Sequence, residues 1–476
     1  MPPDLHTYPP LAEPWHVRLS PAGCAADLGV GSERAAYVGQ DYVLRALGRP
    51  HRSVNLMYCY YPLDQGWPKR ASVAFKPSGT FAWDYPYDDY FPYEGGPGGN
   101  TDGEPFRQMR DVRRHGSDVT LTLTVDCSVG NEHLERIADE LKDFGRLRLR
   151  INHECDGNWF AFNKRYDHKT ISDFFIRFHK VIKARAPRIS TICCWGSVDG
   201  NTNRLVFEDG LAPMLEYADI WSMDRYISLH YAWPNNICEE DQRNKGFTHV
   251  GPEGVWKEMA RVYEIFCERS GQKKPLELCE LNADGDVGGA ELQSRELSAF
   301  YGKIRGERRD YLKGVTYYQF RDKGRLGLER EDPNDNLVGV PQPFLPDYRA
   351  LIRDPWFSPG EKWDRLPANA ALEMDWRAAD DSDGLAWKVE LAGTPSFLEV
   401  KFPKEANLIV RAGTEWFYKK PGIEWVDLTA GVRHFKAGDT ATVTVFAPPA
   451  DGTNGGASSV RTALPTPPLL RLRYPS

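Results

Sequence analysis

An ionisable pair directly follows a predicted strand in the middle of the chain. Residues 146–152 alternate polar and apolar side chains with period two, as a strand does, and His153 and Glu154 come where it gives way to a loop. Trp159 and Phe160 follow. A general acid that protonates a glycosidic oxygen needs a raised pKa, which apolar rings beside the Glu154 carboxyl could supply. The layout is typical of a sugar-cleaving site, although an isolated glutamate more often ends a strand as a solvated charge.

A second carboxylate is needed about 5 Å from the first if the sugar is released with retained configuration. Residues 274–282 predict a later strand, and the turn-rich residues 283–286 follow it. This strand contains Glu277 and Glu280, three residues apart, so strand alternation places them on opposite faces of the sheet. Glu280 stands at the carboxyl end, next to the loop. We therefore expect Glu280 to be the nucleophile, with Glu277 as the alternative.

The elements that must position these residues are strands alternating with helices. Strand-like segments recur at about the spacing of a βα unit, at residues 54–61, 71–75, 119–125, 147–152, 189–195, 220–224, 276–280 and 315–320. Apolar stripes of helical period lie between several of them, as in Phe174, Phe178 and Ile182. Eight parallel strands with intervening helices predict an α/β fold, the (β/α)8 TIM barrel, whose active site lies at the carboxyl ends of the strands.

The segment around the ionisable pair resembles the acid/base motif of glycoside hydrolase family 26. Arg150, His153, Glu154, Gly157 and Trp159 stand at the spacings of that motif. The family belongs to clan A, the retaining barrel glycosidases, most of which carry Asn where this chain has His before the acid/base glutamate. The resemblance implies that Glu154 is the general acid/base, with His153 and Arg150 in the catalytic site.

Two later segments carry the same resemblance. Asp224 and Tyr226 end a predicted strand in the Asp-x-Tyr pattern of the sixth strand of family 26, whose tyrosine hydrogen-bonds the nucleophile. The context of Glu280 resembles the nucleophile strand of the clan, with Cys279 before it and Leu-Asn after it in place of the usual Thr and Phe-Gly. The resemblance implies that Tyr226 donates to Glu280.

Candidate substrate-binding residues follow several predicted strands. Residues 81–93 alternate aromatic rings with acidic side chains in a connection far longer than usual, which suits a glycan cleft, while a self-packed loop is the alternative. The candidates are Trp83, Tyr87, Trp159, Phe160, Trp195, Asp224, His230, Trp233 and Gln319.

The sequence changes character after residue 355. We expect residues 1–50 to form strands that cap the barrel or join a second domain, residues 51–355 to form the catalytic barrel, and residues 370–476 to form a β-sandwich of short alternating strands. Trp387, Trp416 and Trp425 could stack on sugars, but a tryptophan in a sandwich is more often part of the core. We therefore favour a bracing role for this domain over carbohydrate binding.

Composition excludes several classes of protein. The net charge of -7 provides no basic surface for nucleic acid, and no apolar run is long enough to span a bilayer. We expect neither a metal nor another cofactor, since two carboxylates suffice for the chemistry. The nine cysteines lack a disulfide-framework spacing, and the start of the chain lacks a signal-peptide pattern. Both features favour the cytoplasm, while a secreted or periplasmic enzyme stays open if a signal peptide was removed.

The expected activity is that of a retaining β-glycoside hydrolase that acts by double displacement. Its expected substrate is an oligosaccharide or polysaccharide with β linkages, mannan-like or of the algal galactan type, cleaved within the chain. Three alternatives stay open: an exo-acting glycosidase, a transglycosylase on the same barrel, and a catalytically dead carbohydrate-binding protein.

Overall fold

Eight parallel strands close into a barrel in the described part of the chain. The computed structural model describes residues 6–7, 10–30, 36–64, 91–157, 160–196, 198–199, 204–205, 209–230 and 247–475. The barrel strands are β1 (Ala25–Gly29), β2 (Ser53–Tyr60), β3 (Asp118–Val125), β4 (Arg148–Ile151), β5 (Ser190–Trp195), β6 (Ile220–His230), β7 (Leu276–Ala283) and β8 (Leu312–Tyr317). Each strand pairs in parallel with the next, and β8 pairs with β1, so the ring is closed. The predicted fold class is confirmed.

The first barrel strand lies earlier in the chain than the sequence predicts. β1 falls within residues 1–50, so the predicted start of the barrel at residue 51 is wrong. This strand is short and contains a buried aspartate and a glycine, which hide the usual alternation. The predicted strand at 71–75 lies outside the described residues, and eight described strands close the ring without it.

Helices cover the outside of the barrel. They are α1 (Gln40–Leu47), α2 (Phe106–Arg114), α3 (Asn131–Leu141), α4 (Ala161–Arg165), α5 (His168–Arg185), α6 (Met214–Tyr217), α7 (Gly251–Ser270), α8 (Gly285–Gly288), α9 (Ala290–Glu307) and α10 (Phe344–Leu351), with 3-10 turns at Lys142–Phe144 and Asp209–Leu211. The predicted stripe of α5, Phe174, Phe178 and Ile182, is buried. Within the described residues, no helix combines the length and apolarity needed to cross a membrane.

The barrel interior is polar where the site must be built. Along β3, threonines alternate with valine and leucine, and the apolar side chains join the core beneath the helices. The hydroxyl groups point inward instead, because Thr120 contacts Ser53 and Thr122 contacts Asn55 on the neighbouring strand β2. This alternation creates a polar interior that can accept a buried charged side chain.

Two antiparallel sheets form a sandwich that draws strands from both ends of the chain. The larger sheet contains Trp15–Ser20, Gly360–Arg365, Leu372–Trp376, Asp383–Glu390, Leu408–Ala412, Glu415–Lys419, Thr440–Phe446 and Val460–Leu464. The smaller sheet contains His6–Thr7, Phe397–Lys401, Trp425–Asp427 and Leu469–Arg473. Short ladders elsewhere are Phe91–Pro92 on β2, Phe247–His249 on β6, Val198–Asp199 with Arg204–Leu205, and Arg321–Asp322 with Glu329–Asp332 and Asp335–Pro341. A short helix, Thr429–Val432, completes the sandwich.

The three tryptophans named above contact other groups of the sandwich. Trp387 is fully buried in the core between the two sheets. The ring of Trp416 stacks on Phe446, and the Arg471 guanidinium lies 3.7 Å from the centroid of the Trp425 ring. These contacts favour the bracing role of the domain over sugar stacking.

A buried aspartate of the sandwich meets arginines at the amino-terminal end of the barrel. Asp380 pairs with Arg146, which precedes β4 and also lies 3.5 Å from Asp118 at the start of β3. Burial opposes ionisation of Asp380, but the positive charges of Arg146, Arg52 and Arg148 hold its pKa below the ordinary value. The ionised carboxylate therefore links the sandwich to the barrel.

We expect Asp380→Asn to lower the free energy of unfolding by about 1.5–3 kcal/mol at pH 7, the range for a hydrogen bond to a charged group. Because the folded-state pKa is depressed, this stabilisation is present above the unfolded pKa, about 4, and is lost as the pH falls through the folded-state pKa. Denaturant unfolding at pH 7 and at about pH 3 measures the difference. Asp381→Asn, which removes a more exposed partner of Arg377, is the control. Equal losses for both variants would contradict the proposed link.

Candidate active site

A buried arginine joins two carboxylates at the carboxyl-terminal mouth of the barrel. Arg150 on β4 is fully buried, and its guanidinium donates to Asp224 on β6 and to Glu280 on β7, each at 2.6 Å. Its Nε donates to the Thr122 hydroxyl on β3 at 2.7 Å. Four strands thus converge on one guanidinium.

The charges of this cluster depend on one another. Burial alone would lower the pKa of Arg150, but the negative charges of Asp224 and Glu280 raise it well above the ordinary value, so Arg150 stays cationic. Burial raises the pKa of Asp224 well above its ordinary value, and the charge of Glu280 adds to the effect, while Arg150 opposes it. Arg150 therefore faces two carboxyl groups, of which Asp224 is more readily protonated than an exposed aspartate would be.

Two further side chains surround Glu280. The Tyr226 hydroxyl donates to Glu280 Oε2 at 2.7 Å, and His153 Nε2 lies 4.0 Å from Oε1. Burial, with the positive charge of Arg150 beside it, holds the pKa of His153 well below the ordinary value, so its imidazole is neutral near pH 7. The predicted neighbours of Glu280 are thus brought together around it. Phe160 packs its ring 4.6 Å from the His153 ring and helps to fix it.

Glu277 and Glu280 both point into the barrel, contrary to the expectation of opposite faces. The pairing of β6 with β7 shifts between Met223 and Asp224. These two consecutive residues of β6 pair with Leu278 and Glu280, so Cys279 is an extra residue in β7 without a partner in this ladder. This irregularity returns Glu280 to the interior. Glu277 lies deeper in the barrel, 2.9 Å from Arg52, where it completes an ion pair instead of meeting the mouth.

Glu154 lies in a tight turn between the ends of β4 and β5. Its φ is +48°, its side chain is half-buried, and its carbonyl accepts hydrogen bonds from Gly157 and Asn163. Gly196, just after β5, leaves the space that the Glu154 side chain occupies, because a Cβ at Gly196 would come within 2.8 Å of the carboxyl carbon Cδ. A side chain at residue 196 would therefore displace Glu154.

Sequence reasoning missed a buried cluster, rich in aromatic residues, on which Tyr226 packs beside Glu280. Met57, Cys59, Tyr61, Ala161 and Tyr318 form a buried cluster against which Phe160 and Tyr226 pack. The rings of Tyr226 and Tyr318 meet edge to face at 6.0 Å. Aromatic residues at the ends of β2 and β8 were the available signal.

The acidic residue Asp126 was also missed. It directly follows β3 and accepts hydrogen bonds from Tyr166 and Ser128.

Of the other candidates, two are buried, and the rest lie wholly or in part outside the described residues. Trp195 is buried with its ring 4.8 Å from Phe266 of α7, because the preceding Cys194 faces Arg150 and alternation turns Trp195 toward the helices. The predicted substrate contact of Trp195 is therefore not supported. Gln319 is fully buried and donates to Asp322 at 3.2 Å. Trp83, Tyr87, Trp159 and Trp233 lie outside the described residues, as does the side chain of His230 at the end of β6.

A cation is the other ligand that this cluster suggests. His153, Asp224 and Glu280 each present one ligand atom, and these atoms lie within 4.8 Å of one another. Arg150, however, already donates to both carboxylates and supplies a positive charge at the same place. We therefore assign the cluster to an ion-pair network and not to a metal centre.

Comparisons with known proteins describe likeness at low identity. No protein-family model and no curated protein match the sequence. Solved structures similar to this chain include a family 39 glycoside hydrolase from Bacteroides cellulosilyticus, with 12% identity over 89% of this chain and 80% of that chain and a TM-score of 0.43. A second is the catalytic domain of a family 26 endo-β-1,4-mannanase from a Bacillus species, with 13% identity over 71% of this chain and 86% of that chain and a TM-score of 0.42. A third is a β-xylosidase from Caulobacter crescentus, with 11% identity over 96% of this chain and 97% of that chain and a TM-score of 0.44.

Proposed function

We propose that this protein is a retaining glycoside hydrolase that acts on β-linked oligosaccharides or polysaccharides. The observation that supports the proposal best is the Glu280 carboxylate at the barrel mouth, which accepts from Arg150 through one oxygen and from Tyr226 through the other. Donors on both oxygens fix the orientation of the Glu280 carboxylate. A buried carboxylate whose orientation is fixed in this way is suited to nucleophilic attack.

In the proposed first step, a Glu280 oxygen attacks the anomeric carbon and forms a glycosyl ester. Glu154 donates its proton to the leaving glycosidic oxygen as the bond to the anomeric carbon breaks. In the second step, Glu154 accepts a proton from water, and the water oxygen attacks the anomeric carbon and releases Glu280. The two inversions give net retention. His153 is proposed to stay neutral throughout and to limit the room around Glu280.

The proposed substrate is a polysaccharide cleaved within its chain, mannan-like or of the algal galactan type. This part of the proposal is supported by the family 26 resemblance of the motifs and by the composition of the aromatic segment 81–93, of which the structure describes residues 91–93 alone. The half-buried rings of Phe160 and Tyr226, which pack on the buried cluster that contains Tyr61 and Tyr318, offer apolar surface to the C–H face of a sugar ring. Product chromatography on a polysaccharide panel tests it: oligosaccharides of many lengths support internal cleavage, whereas a single terminal sugar contradicts it.

Replacing Glu280 by Gln should lower kcat by about 1,000-fold or more while the protein stays folded, because the covalent step loses its nucleophile. Turnover of an aryl glycoside measures the loss. Glu277→Gln is the matched control on the same strand. It breaks the ion pair with Arg52 and should reduce stability, but the folded enzyme should keep its kcat. Loss of turnover in Glu277→Gln alone would reverse the assignment.

Replacing Glu154 by Ala should slow substrates with poor leaving groups far more than activated aryl glycosides, because only the former need the proton in the first step. The small anion azide can enter the space that the shorter side chain leaves at position 154 and attack without base assistance. We expect azide to restore turnover and NMR to identify a β-glycosyl azide. An α-glycosyl azide, or inverted anomeric configuration of the wild-type product, would contradict a retaining mechanism.

A further inference from the structure

We propose that Thr122 is a positioning residue that orients the Arg150 guanidinium toward Glu280. Thr122 would act without touching the sugar, and the inference rests on the proposed function. The residue lies on β3, is fully buried in the barrel interior, and belongs to none of the motifs that the sequence analysis singled out.

The hydrogen-bonding capacity of the side chains determines the direction of this contact. Arginine has no acceptor, so the Thr122 hydroxyl must accept from Arg150 Nε, at 2.7 Å. Its own proton is then directed to Asn55 Oδ1 on β2, 2.9 Å away. The hydroxyl is therefore held from two sides, and Asn55, Thr122 and Arg150 form one chain of hydrogen bonds across β2, β3 and β4.

The geometry of the guanidinium makes this contact important for Glu280. The group is planar, and its five N–H groups form a rigid fork, so anchoring Nε fixes the directions in which the terminal nitrogens point. Those nitrogens reach Asp224 and Glu280 at 2.6 Å each. The other groups near them are soft sulfur atoms, Cys194 Sγ at 4.0 Å and Met57 Sδ at 3.9 Å, which restrain the fork weakly. Apart from the two carboxylates, Thr122 makes the shortest of the described contacts to the Arg150 guanidinium.

Loss of the anchor would change how Arg150 is shared between its two partners. The carboxylates attract the guanidinium toward β6 and β7. Among the described contacts, only the hydrogen bond to Thr122 holds Nε toward β3. Without it the plane can turn toward Asp224, and the bond to Glu280 lengthens. Glu280 would then be less well oriented for attack, which lowers kcat, whereas sugar contacts made elsewhere in the cleft would keep KM close to its original value.

Thr120 provides a matched comparison for a purely structural hydroxyl. It lies two residues earlier on the same face of β3, and its hydroxyl bonds to Ser53 on β2 at 2.6 Å. This pair has the same strand neighbours as the Asn55–Thr122 pair, but it has no hydrogen bond to Arg150 among the described contacts. Removal of either hydroxyl costs its hydrogen bond to β2, and removal of the Thr122 hydroxyl costs the bond to Arg150 as well, so a difference in turnover isolates the connection to Arg150.

The experiment compares Thr122→Val with Thr120→Val, using kcat and KM on an aryl glycoside and denaturant unfolding. We expect Thr122→Val to lower kcat about tenfold to a hundredfold, the scale of one hydrogen bond to a charged group, with KM changed by less than about threefold. Thr122→Ser restores the hydroxyl and should recover most of kcat. Thr120→Val should lose less stability than Thr122→Val, because it removes one neutral hydrogen bond, and it should keep its kcat.

Equal kcat values for Thr122→Val and Thr120→Val would overturn the inference, as would a change confined to KM. If Thr122→Val fails to fold, Thr122→Cys replaces the hydroxyl by a weakly accepting thiol, and a kcat at the Thr120→Val level would equally contradict the role. Absence of glycoside turnover by the wild-type protein would instead refute the proposed function. The two failures are therefore distinguishable, since only the first leaves wild-type turnover and its dependence on Glu280 intact.

Discussion

The site depends on one buried positive charge shared by two buried carboxylates. A guanidinium in a low-dielectric interior is costly unless it is paired and its N–H groups are hydrogen-bonded. Arg150 meets this requirement only if β3, β4, β6 and β7 are held in register, because β4 carries it and each of the other strands supplies one of its partners. The same constraint explains the polar interior of β3 and places a carboxylate, Glu280, at the mouth of the barrel with its charge compensated. The packing of the barrel interior and the proposed chemistry therefore both require that Arg150 keep its hydrogen-bonded partners.

Charges occupy two levels of the barrel and serve different purposes. At the amino-terminal level, Glu277 joins Asp27 and Arg52, and Asp380 of the sandwich approaches the arginines of that end. At the carboxyl-terminal level, Glu280 faces the mouth beside Tyr226. The extra residue in β7 makes this separation possible, since it allows two glutamates three positions apart to face the same interior. We infer that the lower level braces the two domains and the upper level carries the chemistry.

Much of the arrangement could be predicted from the sequence because the motifs are local. A strand followed by His153 and Glu154, and a later strand ending in Glu280, indicate the carboxyl ends of barrel strands whatever the rest of the chain does. The features that were missed depend on pairing between distant segments. Alternation alone could not reveal the irregularity that brings Glu280 inward, and the orientation of Trp195 depends on which face of β5 meets Arg150. The short strand β1 becomes recognisable only through its pairing with β8.

Trapping the covalent intermediate tests the central claim most directly. A fluorine at C2 of the sugar slows both steps of a retaining glycosidase, whereas an activated leaving group speeds the first step alone. The glycosyl ester then forms faster than it is hydrolysed and accumulates. The probe is the 2-deoxy-2-fluoro-β-glycosyl fluoride of whichever sugar the enzyme releases from aryl β-glycosides. Peptide mapping by mass spectrometry should place one fluorosugar on Glu280, with Arg150 and Tyr226 still required for labelling. A label on Asp224, Glu154 or Glu277 would contradict the account, as would steady turnover of the probe without any labelled peptide.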